Sequence, residues 1–392
     1  MTQLVGIQAV KFSRAVLRRA VFQIHLWTGI AAGLYIVVVC VTGAALVFRI
    51  DLQRALHPHL FTPNGPGPTA DAATMMERVR DAFPADRLSG VEAPTTLRPT
   101  YLAYVVHGNR FLTILADPVT GTVLGELPER SFVRTVQDLH FDLLAGRTGR
   151  TVNGIGATVL LLMCLTGVVI WWQGTANWRR GLTVDFSRSW RRIAWDLHST
   201  IGIWTVLFIA MWSVTGIYFA FPVAFRRAVH AVSPVSVMRL PESDPAGKAA
   251  TATPLSWREL VAAAAAAMPG KTVARVVVPS TDRGAFLVQF ADEAPTPAGS
   301  PSMTSVYMDQ FTGAVLQTPT AATRTAGDAI MAWVAPLHVG NFGGQAIRVV
   351  WAVLGLAPPL LFITGGTMWW VRVARPHWRA ARRGRLTRTT EA

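Results

Sequence analysis

The chain has 392 residues, of which 51% are hydrophobic and only 15% charged, and its formal net charge is +15. Four apolar runs, near residues 23–48, 152–173, 199–223 and 347–371, are each long enough to cross a bilayer, which takes about 20 residues. These runs exclude a water-soluble enzyme built around a single core. The first run is too long for a signal peptide and recurs downstream, so we expect it to be a retained helix.

The basic residues are concentrated at the ends of the apolar runs. Residues 1–24, 174–197 and 371–392 hold 16 of the 37 Lys and Arg residues but only 3 of the 22 acidic ones. This is the positive-inside bias, which predicts a multi-pass membrane protein with both termini and the 174–197 loop in the cytoplasm. A nucleic-acid partner is not expected, because the charge follows the topology. Cys40 and Cys164 lie inside apolar runs and supply no disulfide framework.

Taken in order, the chain alternates membrane helices with polar segments. A cytoplasmic lead and first transmembrane helix (1–48) precede an extracytoplasmic module (49–133), then an interfacial segment and second helix (134–173), a basic loop (174–197), a third helix (198–223), a second module (224–325), an interfacial segment and fourth helix (326–371), and a basic tail (372–392). The first module predicts a helix over 71–83 and strands over 101–106, 111–116 and 122–124. The second predicts a helix over 256–268 and strands over 273–278, 285–290 and 315–316.

The two halves repeat each other. His25, with a glycine four residues on and Thr-Gly seventeen residues on, recurs at an offset of 173 as His198 in the same frame. His140 recurs at an offset of 198 as His338, and the same offset relates Arg150 to Arg348 and the Trp171-Trp172 pair to Trp369-Trp370. The fold class is therefore an all-α membrane core of four transmembrane helices in two parallel repeats, with two extracytoplasmic α+β modules.

The paired histidines are the candidate site. An ionisable side chain in a membrane segment indicates a functional site, and opposed imidazoles at two depths suit two haems with histidine axial ligands. We expect Gly29 and Gly202 to leave room for the porphyrin faces, with Gly167 and Gly365 also near the inner histidines and Gly43 and Gly216 at the level of the outer pair. Arg150 and Arg348 are expected to hold propionates. The competing interpretations are interfacial histidines and small-residue helix contacts. His57 and His230 form a third pair, either loop histidines or alternative outer ligands.

These motifs resemble a known family. His-x3-Gly…Thr-Gly helices, joined to modules ending in Asp-x-x-Thr-Gly-x-Val-Leu at Asp117 and Asp309, are similar to the PepSY-associated transmembrane helix family, and within it to inner-membrane siderophore-iron reductases of the FoxB/FpvG type. The resemblance covers residues 20–375. It implies two haem b groups held by the axial ligands His25, His198, His140 and His338, and electron transfer to a ferric siderophore in the periplasm.

The sequence leaves the redox partners open. There is no Gly-x-Gly-x-x-Gly after a strand, so we expect no nicotinamide- or flavin-binding domain in this chain. The electron donor is therefore expected to be a cytoplasmic reductase or membrane quinol, and membrane lipid is expected to surround the helices. Reduction to ferrous iron weakens the grip of a siderophore's hard oxygen donors. Two other functions fit the same pattern: a haem-bearing electron-transfer subunit for another periplasmic partner, and a non-redox PepSY-type transporter or regulatory protein.

Overall fold

A computed structural model describes residues 14–172, 174, 178–236, 240–243, 253–295, 301–318 and 325–378. The first 13 residues of the basic lead and the last 14 of the basic tail lie outside this range. The chain forms two compact units. The first consists of the chain up to Ala45, Asp138–Phe225 and the chain from Val349, and the second consists of Leu46–Gln137 and Arg226–Arg348.

Four helices are long and apolar enough to cross a membrane, as predicted: Ala15–Leu46, Gly146–Trp171, Trp190–Ala220 and Gly344–Trp378. Helix α1 spans Arg14–Leu46, α5 spans Gly146–Trp171 and α6 spans Trp190–Ala220. The fourth consists of α10 (Gly344–Gly355), α11 (Ala357–Trp369) and a π-helical turn at Trp370–Ala374. The protein is thus a multi-pass membrane protein, with three helices longer than their apolar cores.

The helices depart from the predicted bounds for two physical reasons. Arg and Trp residues form helices readily, so α1 and α6 each begin nine residues before the apolar runs at 23 and 199. Pro358 and Pro359 explain the break in the fourth span. Proline has no N–H group to donate and fits best in the first turn of a helix, so a new helix begins beside Leu356.

The second unit contains one antiparallel sheet of eight strands. The strands are β1 (Arg87–Glu92), β2 (Tyr101–His107), β3 (Arg110–Ala116), β4 (Val123–Glu126), β5 (Thr272–Val277), β6 (Phe286–Pro295), β7 (Pro301–Met308) and β8 (Val315–Gln317). Their order is β4-β3-β2-β1-β5-β6-β7-β8. The β1–β5 pair, with Val91 opposite Val276, therefore joins the strands of the two predicted modules in one continuous sheet.

Two helices share the hydrophobic core of this sheet. They are α3 (Ala72–Ala82), whose Met75, Met76 and Val79 are buried, and α8 (Trp257–Ala267), whose Leu260 is buried. Both match the helices predicted over 71–83 and 256–268. Each begins at a capping side chain, since Asp71 accepts a hydrogen bond from the Thr74 amide and Ser256 forms a capping box with Glu259.

The remaining helices lie at the ends of the membrane spans. They are α2 (Arg49–Leu56), α4 (Phe132–Asp142), α7 (Pro222–Val232) and α9 (Ala326–Val339). The amphipathic segment predicted over 132–145 is α4, and it carries His140. The sequence interpretation did not include α2, α7, β1 or β7.

Candidate cofactor site

His25 and His198 face each other within the first unit. His25 lies in α1 and His198 in α6, and their ring centres are 6.5 Å apart with planes at 89°. Each residue begins a copy of the repeated motif, so the repeat brings the two imidazoles to the same place between helices. This is the inner pair that the 173-residue offset predicts.

Each imidazole uses Nδ1 to contact a threonine on another helix. His25 Nδ1 lies 2.9 Å from Thr166 Oγ1. His198 Nδ1 lies 3.0 Å from both Thr364 Oγ1 and the Leu361 carbonyl oxygen. The two histidines are therefore oriented by α5 and α11. These helices carry the Thr166-Gly167 and Thr364-Gly365 pairs, which are related by the 198-residue offset.

The threonine hydroxyls determine the direction of these hydrogen bonds. Thr166 Oγ1 donates to the Leu162 carbonyl at 2.9 Å, and Thr364 Oγ1 donates to the Leu360 carbonyl at 2.9 Å. With its only proton donated, the hydroxyl oxygen can accept from the imidazole, so Nδ1 carries the proton and Nε2 keeps a lone pair. This is the tautomer that a metal-ligating histidine adopts when a second group holds Nδ1–H.

His140, at the end of α4, repeats the same arrangement with α1. Its Nδ1 lies 2.9 Å from the Val39 carbonyl and 3.2 Å from Thr42 Oγ1. Thr42 Oγ1 in turn donates to the Val38 carbonyl at 2.7 Å. Burial lowers the pKa of His140, although the hydrogen bond to Val39 opposes the shift. The neutral imidazole is the form that can bind a metal.

The glycines after these threonines make room for the imidazole rings. A Cβ atom at Gly43 would lie 2.8 Å from His140 Cε1, one at Gly365 would lie 3.2 Å from His198 Cε1, and one at Gly167 would lie 3.4 Å from His25 Cε1. We expected these positions to leave space for a porphyrin. The contact that they make is with the histidine itself, which explains why threonine and glycine occur as a pair.

Gly29 and Gly202 lie one helical turn after the inner histidines and differ from each other. A Cβ atom at Gly29 would lie 3.1 Å from Met163 Cε, whereas one at Gly202 would meet Leu361 Cδ2 at 3.7 Å, an ordinary contact. The close neighbour of Gly29 is thus the flexible end of the Met163 side chain. Clearance for a porphyrin at these two glycines remains a prediction.

The other predicted site residues are placed differently. His338 lies in α9 and belongs to the second unit, whereas His140 belongs to the first, so their pairing stays a prediction. Arg150 is exposed in the second turn of α5. Arg348 is buried; it forms an ion pair with Asp51 and donates to the Val47 carbonyl at 3.1 Å. The two arginines are therefore not equivalent, and their contact with propionates stays a prediction.

In the third histidine pair, His57 and His230, one residue forms a local structural contact. His230 Nδ1 accepts a hydrogen bond from the Val235 amide at 3.0 Å, beyond the end of α7. His57 lies 6.4 Å from His59, measured between ring centres. His230 therefore lies in the last turn of α7 and binds the backbone of the segment that follows, which favours a structural role for it rather than a role as an outer haem ligand.

The two halves differ beside the outer histidine of the first half. Asn153 Nδ2 donates to the His140 carbonyl at 2.7 Å, and the Tyr35 hydroxyl donates to Asn153 Oδ1 at 2.5 Å. The equivalent residues of the second half are Phe208 and Trp351, whose rings meet edge to face at 5.9 Å between centres. The hydrogen-bonded pair Tyr35 and Asn153 in the first half is therefore replaced by an aromatic pair at the equivalent positions of the second half.

Comparison with known proteins places the chain in a family. The model of the PepSY-associated TM region matches residues 22–372. The chain belongs to this family. The match to the PepSY-associated TM region includes all four membrane spans and the sheet, as the sequence resemblance predicted.

One relative has a shorter match. An uncharacterized protein of Pseudomonas aeruginosa is 34% identical over 82 residues, which is 20% of this chain and 19% of that protein. The chain thus spans about a fifth of that relative's length, and the similarity supports relatedness over one stretch only.

The sequence interpretation missed the roles of Thr42, Thr166 and Thr364. The signal was present, because each threonine precedes a repeated glycine. A histidine ligand needs an acceptor for its second ring nitrogen. Looking for that acceptor among the repeated residues would have identified the hydroxyls.

Proposed function

We propose that this protein is an inner-membrane b-type cytochrome with two haems, which carries electrons outward and reduces ferric siderophore iron in the periplasm. The observation that supports the proposal is the His25–His198 pair. Two imidazoles on different helices have ring centres 6.5 Å apart, and a threonine on a third or fourth helix holds each Nδ1.

The donor set fits a haem iron. Metal–nitrogen bonds are about 2 Å long, so two imidazoles on one iron through Nε2 have ring centres roughly 6 Å apart. His25 and His198 would hold one haem, and His140 and His338 would hold the other on the strength of the repeat. When bound, haem supplies a one-electron couple whose potential depends on its ligands and surroundings.

The chain's own residues would orient the ligands and tune the iron. Thr166, Thr364 and Leu361 hold the imidazoles with Nδ1 protonated, so each Nε2 keeps the lone pair that a metal would need. A hydrogen bond from Nδ1–H increases the basicity of the ligand and favours the ferric state. Removing such a bond is therefore expected to raise the reduction potential.

The charge distribution gives the proposed direction. The basic flanks support a topology with both termini and the 174–197 loop in the cytoplasm. His25 and His198 would then lie near the inner surface and receive electrons from a cytoplasmic reductase or membrane quinol. One electron converts one ferric ion to ferrous ion. The softer ferrous ion is held less tightly by the siderophore's oxygen donors, and the chelator is left unmodified.

The proposal is tested by cofactor content and by iron release. The purified protein should contain two non-covalent b-type haems per chain in a pyridine haemochrome measurement. In vesicles loaded with a reductant, it should reduce an external ferric siderophore, detected with a ferrous-specific chelator. His59→Ala, at an exposed residue outside the repeats, is the control. A protein without haem would refute the redox function. A haem protein that releases no iron would instead be an electron-transfer subunit for another partner.

A further inference from the structure

A cavity of about 390 Å³ lies between α6 and the end of the fourth span. Its lining residues include three arginines, Arg191, Arg192 and Arg372, and two tryptophans, Trp190 and Trp195. The cavity therefore combines basic residues with aromatic ones. None of its lining residues has been assigned a role in the proposed function above.

The cavity lies on the face of α6 that carries His198. Residues three, four and seven apart share one face of a helix. On α6, Trp195, Ala194 and Arg191 precede His198 by three, four and seven residues, and all three line the cavity. The lining therefore begins about one helical turn, or about 5.4 Å, from His198, and Arg191 lies about two turns from it.

The opposite wall has the same spacing. Thr364 contacts His198, and Thr367, Met368 and Val371 follow it by three, four and seven residues and line the cavity. Both walls therefore place the guanidinium groups on the side of the inner histidine pair that faces the helix ends. A flat ligand held at His198 would have one edge directed at this cavity.

Among the described residues, one of the three arginines of the cavity has a carboxylate partner. Arg192 Nε lies 2.9 Å from Oδ1 of the buried Asp196, and its guanidinium lies over the Trp195 ring at 4.6 Å. Within the described ranges, Arg191 and Arg372 have no carboxylate at ion-pair distance. Two guanidinium groups are therefore available for an anionic ligand, and arginine binds carboxylates through two parallel hydrogen bonds.

We infer that Arg191 and Arg372 hold the two propionates of the haem bound by His25 and His198. This inference depends on the proposed function and names the residues that anchor the inner haem. Haem b carries two carboxylates at one edge, which match the two available guanidinium groups in number and sign.

The test compares charge removal in the cavity with charge removal nearby. Arg191→Gln, Arg372→Gln and the double variant should retain the inner haem roughly tenfold less tightly, since each loses a charged hydrogen-bonding partner. Where the haem remains, its midpoint potential should fall, because loss of a nearby positive charge stabilises the ferric state. Arg188→Gln is the matched control, since Arg188 is exposed just before the start of α6, pairs with Asp185 and does not line the cavity. It should retain haem and potential.

A second measurement uses the unaltered protein. Wild-type apoprotein should bind the dimethyl ester of haem b more weakly than haem b. The difference between the two cofactors should shrink in the double variant, which lacks the groups that recognise propionate. Arg191→Lys with Arg372→Lys keeps the charge and should recover part of the affinity.

The failures of the two proposals can be told apart. Absence of haem from the wild type would refute the proposed function and this inference with it. Two haems in the wild type, with unchanged retention and potentials in the glutamine variants and equal binding of the ester, would overturn this inference alone. Loss of co-purified anionic phospholipid in those variants, with haem unchanged, would also overturn it and assign the cavity to a lipid headgroup.

Discussion

A threonine followed by glycine serves the same purpose at three places in the membrane unit. The hydroxyl oxygen accepts from a histidine on another helix, and the glycine leaves room for the ring of that histidine. A hydroxyl that already donates to its own helix is an acceptor only, which fixes the imidazole tautomer. With two residues, the motif therefore determines both the position of a histidine ring and which of its nitrogens carries the proton.

The glycine of this motif supports a graded prediction. The Cβ atom of Gly43→Ala would lie 2.8 Å from His140 Cε1, closer than atoms tolerate, whereas Gly365→Ala gives 3.2 Å and Gly167→Ala an ordinary 3.4 Å. Overpacking of this kind costs about 1–3 kcal/mol. Haem content, measured per chain, should therefore fall most in Gly43→Ala, less in Gly365→Ala and least in Gly167→Ala, which is the control. Equal haem content in the three variants would contradict this order.

At the residue scale, the sequence predicts the imidazoles better than their partners. The repeat identifies His25 and His198, and the structure places them together. It does not predict the ion pair between Arg348 and Asp51, which joins residues 297 positions apart in the sequence. Nor does it predict the hydrogen bonds of Thr166, since a threonine in an apolar helix bonds its own carbonyls whether or not a histidine is near.

At the scale of elements, the membrane helices follow from the apolar runs, but parts of the sheet do not. Strand β1 (Arg-Leu-Ser-Gly-Val-Glu) lacks a clear alternation, and it becomes a strand because β2 and β5 pair with its two edges. Such pairing is a long-range interaction that a local pattern does not contain. Pro358-Pro359 was visible in the sequence, and its effect on the fourth span could have been predicted.

The start of α9, the helix that carries His338, supports a prediction about pH. Hydrogen bonds to Asp328 from Ser236, through its amide and its hydroxyl, and from Thr325 lower the pKa of Asp328 to about 2. An unfolded aspartate has a pKa of about 3.9, so the carboxylate stabilises this helix above that pH. The contribution should disappear as the pH falls from about 4 to about 2.

The measurement is the thermal midpoint of unfolding as a function of pH for the wild type and Asp328→Asn. The wild type should be more stable at neutral pH, and the two curves should converge as the pH approaches about 2. Asp81→Asn is the control, because this exposed carboxylate contacts only the adjacent Arg80 among the ion pairs of the described chain. A difference between wild type and Asp328→Asn that stays constant with pH would show that the carboxylate charge has no part in it.

At the scale of the whole molecule, the sheet joins two segments that are distant in the sequence. Gly90 lies at the junction, opposite Val277, and a Cβ atom there would lie 2.3 Å from the Val276 carbonyl oxygen. Backbone atoms cannot move aside as a side chain does. Only glycine therefore allows β1 and β5 to pair at this distance.

Gly90→Ala should separate β1 from β5 locally and destabilise the second unit by about 1–3 kcal/mol. Thermal unfolding followed by circular dichroism, with limited proteolysis between the strands, would measure the effect. Gly65→Ala is the matched control, since no atom lies within 4 Å of its added Cβ. Gly90→Ala with the stability and protease resistance of Gly65→Ala would mean that the junction does not hold the sheet together.

The last prediction separates the two proposed haems by their ligands. His198→Ala removes a ligand of the inner haem, so that haem should be lost or become high-spin, while the outer haem remains and is still reduced by an added chemical reductant. His338→Ala should do the reverse, because the inner ligands His25 and His198 lie on other helices.

The two variants should also differ in vesicles that contain an internal reductant. His338→Ala should accept electrons at the inner haem yet fail to reduce an external ferric chelate, whereas His198→Ala should fail at entry. Optical spectra of each variant, recorded together with the rate of ferrous iron release, measure both steps. In the proposed pairing the two haems have no ligand in common. Loss of both haems from a folded single variant would therefore contradict the two-level pairing. A folded His338→Ala protein that reduced the chelate at the normal rate would exclude the outer haem as the exit.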